Sequence, residues 1–339
     1  MIKIKDIAAK CGVSIATVSK ALNGSHELSS ETTLMICETA KEMGYIPNAN
    51  ARTLKTNRSY NIGILFVDHT ASGLQHEYFS SILNSLKVSC EKNGYDITFI
   101  SDTVSKNAMS YYEHAKYRNV DGVVIACVDF KNPDVIRLVE SEIPTVTIDY
   151  VYNGSTAIIS DNVSGLESIV KYVYECGHRK IAFIHGEDTD VTTKRLAGFH
   201  KACAELGLTI PKDYVKTGSY HVAAASGHAT RELLSLKDRP TCIIYPDDYS
   251  ILGGMTEIEK HGLSIPNDIS VVGYDGINLS RLLRPVLTTY VQDTEAIGRL
   301  AAEKLIAEIE TPKMFFPEQV IVAGKLQLGD TVLSLKNAK

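Results

Sequence analysis

From Asn61 onward, short runs of β-branched and aliphatic residues alternate with longer stretches in which apolar positions return every three or four residues. The runs at 61–67 (NIGILFV), 95–100 (YDITFI), 120–126 (VDGVVIA) and 144–149 (PTVTID) predict strands, with helices near 76–92, 106–117 and 133–141. The cycle then repeats, with strands at 180–185 (KIAFIH), 241–245 (TCIIY) and 269–274 (ISVVGY) and helices near 163–176, 192–206, 222–235 and 248–261. Strand runs without polar alternation are buried on both faces, which implies parallel sheets covered by helices. Two doubly wound lobes follow, their strand C-termini facing a common crevice, the place where open α/β sheets bind ligands.

The first 46 residues follow a different pattern. Ile4, Ile7, Ala8 and Cys11 fall on one helical face that stops at Gly12, the residue best able to take the left-handed conformation of a tight turn. Ser14 then stands as an N-cap, and Ile15, Val18 and Leu22 mark a second short helix ending near Asn23-Gly24. A third helix, capped by Ser29 or Ser30 and running to about Met43, is expected to close the small core with Leu34, Cys37, Ala40 and Lys41. Two short helices joined by a glycine turn make helix-turn-helix geometry, in which the second helix presents its N-terminal residues to base edges.

Composition narrows the class. At 339 residues the chain suits two or three units rather than one core. It contains no apolar run long enough to span a bilayer, and MIKIKDIAAK offers no signal-peptide core, so a cytoplasmic location is expected. The seven cysteines are scattered without a C-x-x-C pair and read as free thiols, with no metal and no cofactor expected. A net charge of −5 argues against a nucleic-acid partner until its distribution is examined: residues 1–58 hold eight Lys and Arg against five Asp and Glu. Positive charge is concentrated where a DNA-binding element needs it.

The segment KIKDIAAKCGVSIATVSKALNG, followed by GYIPNANARTLK, resembles the lactose repressor/galactose repressor (LacI) family, and the resemblance continues around Tyr274 and Asp275. It implies a helix-turn-helix headpiece (1–46), a hinge helix and linker (47–60), and a periplasmic-binding-protein-like core (61–339) of two doubly wound parallel-sheet lobes. The first lobe would comprise about 61–160 and 293–317, the second about 161–290 and 318–339. The chain would then cross near Asp161, Gln292 and Pro317, and the helix 294–309 would return to the first lobe.

By the same resemblance Ile15, Ala16 and Lys20 occupy base-reading positions, while Lys3, Ser14, Thr17, Ser19 and Asn23 suit phosphate contact or helix support. Thr17 and Ser19 could equally be ordinary capping and surface residues. In the hinge, Asn48, Ala51, Arg52 and Lys55 would approach DNA and Leu54 would wedge into the central base step, most easily at a pyrimidine-purine step. The alternative is a plain linker with Leu54 against its own domain.

Family alignment also picks Tyr78, Phe79, Asp149, Tyr150, Arg195, Tyr220, Asp248 and Asp275 as effector-facing. Aromatic faces, carboxylate acceptors and a planar guanidinium suit a polyhydroxylated ligand, so a carbohydrate is expected, with a nucleobase, a nucleoside or a co-repressor as the alternative. Tyr78 and Phe79 could instead pack in the core, and Arg195 could pair with Asp275 across the crevice. After Gly186 the stretch Asp188-Thr189-Asp190-Val191 departs from the family pattern, and its carboxylates disfavour an anionic ligand.

An enzyme on the same crevice is the main rival class, but no P-loop, G-x-S-x-G elbow or H-E-x-x-H pair is present. A transport receptor of the same fold would carry an export signal in place of a headpiece. One headpiece buries too little surface for high specificity, so a homodimer on a pseudopalindromic operator is expected, without a coiled-coil tetramerisation tail. Lys20 is the base reader best able to specify, because a cation reaches the O6 and N7 acceptors of guanine. Replacing it (Lys20→Ala) is expected to relax base preference at one position of each half-site in a binding-site selection; a uniform loss across all sequences would make it a phosphate contact.

Overall fold

A computed structural model describes residues 2–22, 25, 27–46, 58–68, 72–104 and 107–337. The chain divides into Met1–Ser59 and Tyr60–Lys339.

In the first unit, α1 (Ile4–Cys11) stops at Gly12, whose φ of 67° is the left-handed turn expected there. The backbone N–H of Lys3 donates to Asp6 at 2.8 Å and closes the opposite end of the helix. Next, α2 (Ile15–Leu22) is capped by Ser14, whose Oγ accepts the Thr17 N–H at 3.0 Å, and α3 (Ser30–Glu42) is capped by Ser29 in the same way. Ile7, Ala8, Val18, Ala21, Ile36 and Ala40 form the core. The expected face of α3 is therefore corrected: Ile36 and Ala40 are buried, whereas Leu34 and Cys37 are exposed. Positions 36 and 40 stack on one side of the helix, and 34 and 37 lie round the cylinder from them.

The second unit holds two six-stranded sheets. The first runs β13 (Gln319–Val322), β7 (Thr156–Ser160), β6 (Thr145–Ile148), β5 (Gly122–Ala126), β1 (Asn61–Phe66), β2 (Asp96–Ile100), and every neighbouring pair is parallel. The other runs β14 (Lys325–Gln327), β12 (Thr288–Val291), β11 (Ser270–Asp275), β10 (Cys242–Ile244), β8 (Ile181–His185), β9 (Val215–Thr217), parallel except for the β12–β14 pair. The remaining strands, β3 (Thr103–Val104) and β4 (Asn107–Ala108), form a short antiparallel ribbon. This is an α/β protein with an all-α helix-turn-helix unit and a periplasmic-binding-protein-like core. Strands β5, β6 and β7 are buried at every position, which is why their sequences lack alternation.

The chain crosses between lobes three times. Asp161 separates β7 from the helix Asn162–Glu175, and Gln292-Asp293 separates β12 from the helix Thr294–Glu310, which packs on Glu77–Lys92 of the first lobe. The third crossing differs from expectation: β13 pairs with β7, so 319–322 belong to the first lobe and the chain leaves it at Ala323-Gly324, beyond Pro317. With residues exposed at two of its four positions, β13 is an edge strand whose apolar run of three residues is too short to be read as a strand from the sequence.

Close helix contacts depend on glycines, Gly198 and Gly298 among them. A Cβ at Gly198 would lie 2.3 Å from the Val163 carbonyl oxygen, and one at Gly298 would lie 2.2 Å from that of Ile82. Alanine ordinarily strengthens a helix interior by up to ~1 kcal/mol over glycine. Here the sign is expected to reverse, Gly198→Ala and Gly298→Ala each lowering stability by about 1–3 kcal/mol in urea titrations, because the overlap is with backbone that cannot turn aside.

Candidate effector cavity and DNA-reading helix

In both sheets the strand order reverses beside the first strand of the lobe, β1 against β5 and β8 against β10. At such a switch point neighbouring connections leave in opposite directions and open a crevice at the strand C-termini. The loops after β1, β5 and β6 face those after β8, β10 and β11 across a cavity of about 470 Å³. Cys127, Asp149 and Asp275, three non-glycine residues that line it, have φ values of 55°, 61° and 98°. Backbone strain of this kind collects where a side chain must be aimed rather than merely packed.

Tyr78, Phe79, Asp149, Tyr150, Arg195, Tyr220 and Asp275 all line the cavity. Asp248 does not. It is fully buried behind the wall, accepting hydrogen bonds from Thr289 Oγ1 at 2.6 Å and the Ile277 N–H at 2.9 Å. Its neighbour Asp247 is the residue that faces the cavity, and at the end of a strand one position decides which side a carboxylate takes. Asp68, His76, Phe130, Glu187 and Gln292 also line the wall and were missed. Asp68 and Asp247 each follow a strand end by a few residues, a signal sequence reasoning could have used.

Arg195 is 4% exposed. Its Nε donates to Asn162 Oδ1 at 2.8 Å, its Nη1 to the Pro246 carbonyl at 2.6 Å, and its Nη2 lies 3.5 Å from Asp275 Oδ1. The guanidinium carbon sits 3.6 Å from the Tyr274 ring centroid, a desolvated cation–π contact. The Arg195–Asp275 pair thus forms, but within the second lobe and not across the crevice. Burial pushes the Asp275 carboxyl up to about 6, with Arg195 pulling the other way.

Contacts across the crevice come from other residues. Within the first lobe the Tyr78 hydroxyl donates to Asp149 Oδ2 at 3.3 Å; it also reaches Oε1 of the connector residue Gln292 at 3.4 Å, and Gln292 Nε2 donates to Asp275 of the second lobe at 2.7 Å. His76 of the first lobe stacks on His221 of the second at 4.3 Å, and His221 stacks on Tyr249 at 4.1 Å. Burial holds both imidazoles below their ordinary pKa. Tyr220 lies against Gly186, where a Cβ would meet its ring at 2.1 Å, so only glycine lets that aromatic wall form.

In the helix-turn-helix unit, Lys3, Ser14, Ile15, Ala16 and Lys20 are exposed and Thr17 and Ser19 half-buried. Ile15 is 57% exposed, an apolar side chain held off its own core at the start of the second helix. Lys20 Nζ lies 2.5 Å from Glu27 Oε2 and must leave that carboxylate to reach a base. Asn23, Asn48, Ala51, Arg52, Leu54 and Lys55 lie outside the described residues.

A profile of bacterial regulatory proteins, lacI family, matches residues 3–48, and a periplasmic binding protein-like domain matches 170–332. The HTH-type transcriptional repressor PurR of Haemophilus influenzae (strain PittEE) is 32% identical over 314 residues, 91% of each chain. The chain belongs to the LacI family. Solved structures of similar fold include the lac repressor dimer bound to operator and the anti-inducer ONPF, with a TM-score of 0.82 at 24% identity over 98% of this chain and 99% of that one. A transcriptional regulator CelR–cellobiose complex gives 0.72 at 24% identity over 98% and 100%. As a LacI-family member the chain is an allosterically controlled DNA-binding transcription regulator, and family membership, not any missing motif, decides against an enzyme. No helix among the described residues is long and apolar enough to cross a membrane.

The LacI-family cavity carries a pH signature. A carboxyl whose pKa is raised on folding favours the native state while protonated, and that contribution is lost as pH rises through the folded value. Between about pH 4 and 6, wild-type stability measured relative to Asp275→Asn is therefore expected to fall as pH rises. Denaturant melts of the two proteins at matched pH check this; a rising or flat difference rejects it.

Proposed function

We propose that the chain represses transcription as a homodimer on a pseudopalindromic operator, and that a small polar metabolite held in the interlobe cavity changes its DNA affinity. The observation that carries this reading is the pairing of two features in one chain. One is a capped helix presenting Ile15, Ala16 and Lys20 to solvent; the other is an interlobe cavity built at two switch points. Repression is the sign we assign because curated relatives at this level of identity are repressors by name.

The base readers would be Ile15, Ala16 and Lys20, with Lys3, Ser14, Thr17, Ser19 and Asn23 on phosphates and Leu54 at the central base step. Asn48, Ala51, Arg52 and Lys55 would flank that wedge. For the effector, Tyr78, Phe79, Tyr150 and Tyr220 supply ring faces, and Asp149, Asp275 and Arg195 supply acceptors and a donor. A carbohydrate fits this set, and a structural neighbour was solved with cellobiose. A nucleobase or nucleoside is the reading better supported by the relatives, which bear the name PurR, and the aromatic ring faces lining the cavity offer it stacking surfaces.

Ligands act on DNA affinity only as far as they bind the two states unequally. Nuclease footprinting of purified protein is expected to show two-fold symmetric protection that weakens steeply with salt. Thermal-shift screening of sugars and nucleosides, with operator binding repeated in the presence of each hit, is expected to identify a metabolite that alters that protection. Equal binding to random duplex at moderate ionic strength would sink the regulator reading.

A further inference from the structure

We propose that the effector carries a protonated amine, held between carboxylates contributed by both lobes. This rests on the reading of the cavity as an effector site and names the chemistry of its ligand.

Among the described residues six carboxylates line the cavity. Asp68 and Asp149 come from the first lobe, and Glu187, Asp190, Asp247 and Asp275 from the second. Arg195 is the one guanidinium among the described residues that faces them, and its donors are already directed to Asn162, Pro246 and Asp275. Asp190 has an ion-pair partner in Lys194 at 3.6 Å. Asp275 is paired with Arg195, whereas Asp149, Glu187 and Asp247 are met by neutral groups. Asp247, only 4% exposed, accepts the N–H groups of His221, Tyr249 and Ser250 and the Ser250 hydroxyl. Glu187 accepts the Ser219 hydroxyl and the Tyr220 N–H, and Asp149 accepts the Ser160 N–H at 2.7 Å. Neutral donors satisfy lone pairs and orient a carboxylate without cancelling its charge. The walls are therefore acidic by construction, and acidic on both sides.

A second observation points to a bound guest. His76 lines the cavity and is 9% exposed, yet its Nδ1 meets no hydrogen-bond partner among the described residues. A polar atom of that kind is costly to leave unmet and is satisfied by a ligand or by water.

An anion would face repulsion from both lobes, and a neutral ring would leave the buried charge uncompensated. An ammonium supplies up to three donors and one positive charge, and the faces of Tyr78, Phe79, Phe130, Tyr150 and Tyr220 accept a cation as well as a ring. Attraction to carboxylates on both lobes also makes such a ligand prefer the closed arrangement, which is the differential affinity allostery needs. The class is an aminated sugar or aminated nucleoside.

The test is calorimetric titration of the full chain at neutral pH with matched pairs: glucosamine against glucose and N-acetylglucosamine, galactosamine against galactose, and 5′-amino-5′-deoxyadenosine against adenosine. At least one amine is expected to bind roughly tenfold or more tightly than its neutral partner, as a single charge at a few ångströms in a partly desolvated site provides. Glu187→Gln, at an exposed position, and Asp149→Asn are each expected to cut that amine-to-neutral preference by about tenfold. Neutral partners binding as well as the amines in every pair, a preference that survives both substitutions, or no binding by any amine overturns the proposal. Footprinting on the same preparation separates this from failure of the regulator reading: symmetric protection retained beside a failed amine preference removes only the proposal.

Discussion

The buried guanidinium of Arg195 fixes the geometry on which the second lobe's share of the cavity depends. It ties the Asn162–Glu175 helix through Asn162, the end of β10 through the Pro246 carbonyl and the end of β11 through Asp275, with Tyr274 as its floor. A cation this deeply buried persists only when nearly all its donors are met. Once they are, three loops that would otherwise drift are held at fixed spacing. Asp275 can then keep a positive φ and present its carboxylate to the cavity.

Much of this was legible in the sequence, for physical reasons. Fully buried parallel strands betray themselves as unbroken apolar runs, so β1, β5, β6, β8, β10 and β11 could be placed within a few residues. The headpiece was legible because Gly12 and the caps at Ser14 and Ser29 are local chemistry. What escaped was non-local. The partly exposed β13 pairs with a strand far earlier in the chain, Gln319 opposite Ala157, and the short β9 and β14 lie at sheet edges, so none of them declares itself locally. The face of α3 depended on which side its partners occupied, and Leu34 and Cys37 look as apolar as Ile36.

The site shows the same division. Aromatic and charged residues at strand ends were found because position and type agree, but Asp247 and Asp248 are indistinguishable by composition. Their roles separate only when β11 and β12 close behind one of them, so that Asp248 meets Thr289 and Ile277 while Asp247 caps the turn at Ser250. His76 and Gln292 come together with the rest through the lobe arrangement alone.

Gln292 occupies one of the three strands of chain that pass between the lobes, and its amide touches Asp275 on one side and the Tyr78 hydroxyl on the other. The connector is therefore itself part of the lining. On the proposed reading, a guest that displaced either partner of that amide would act directly on a connector between the lobes. Occupancy and interlobe angle would then be coupled through the connector itself, without a relay of intermediate residues.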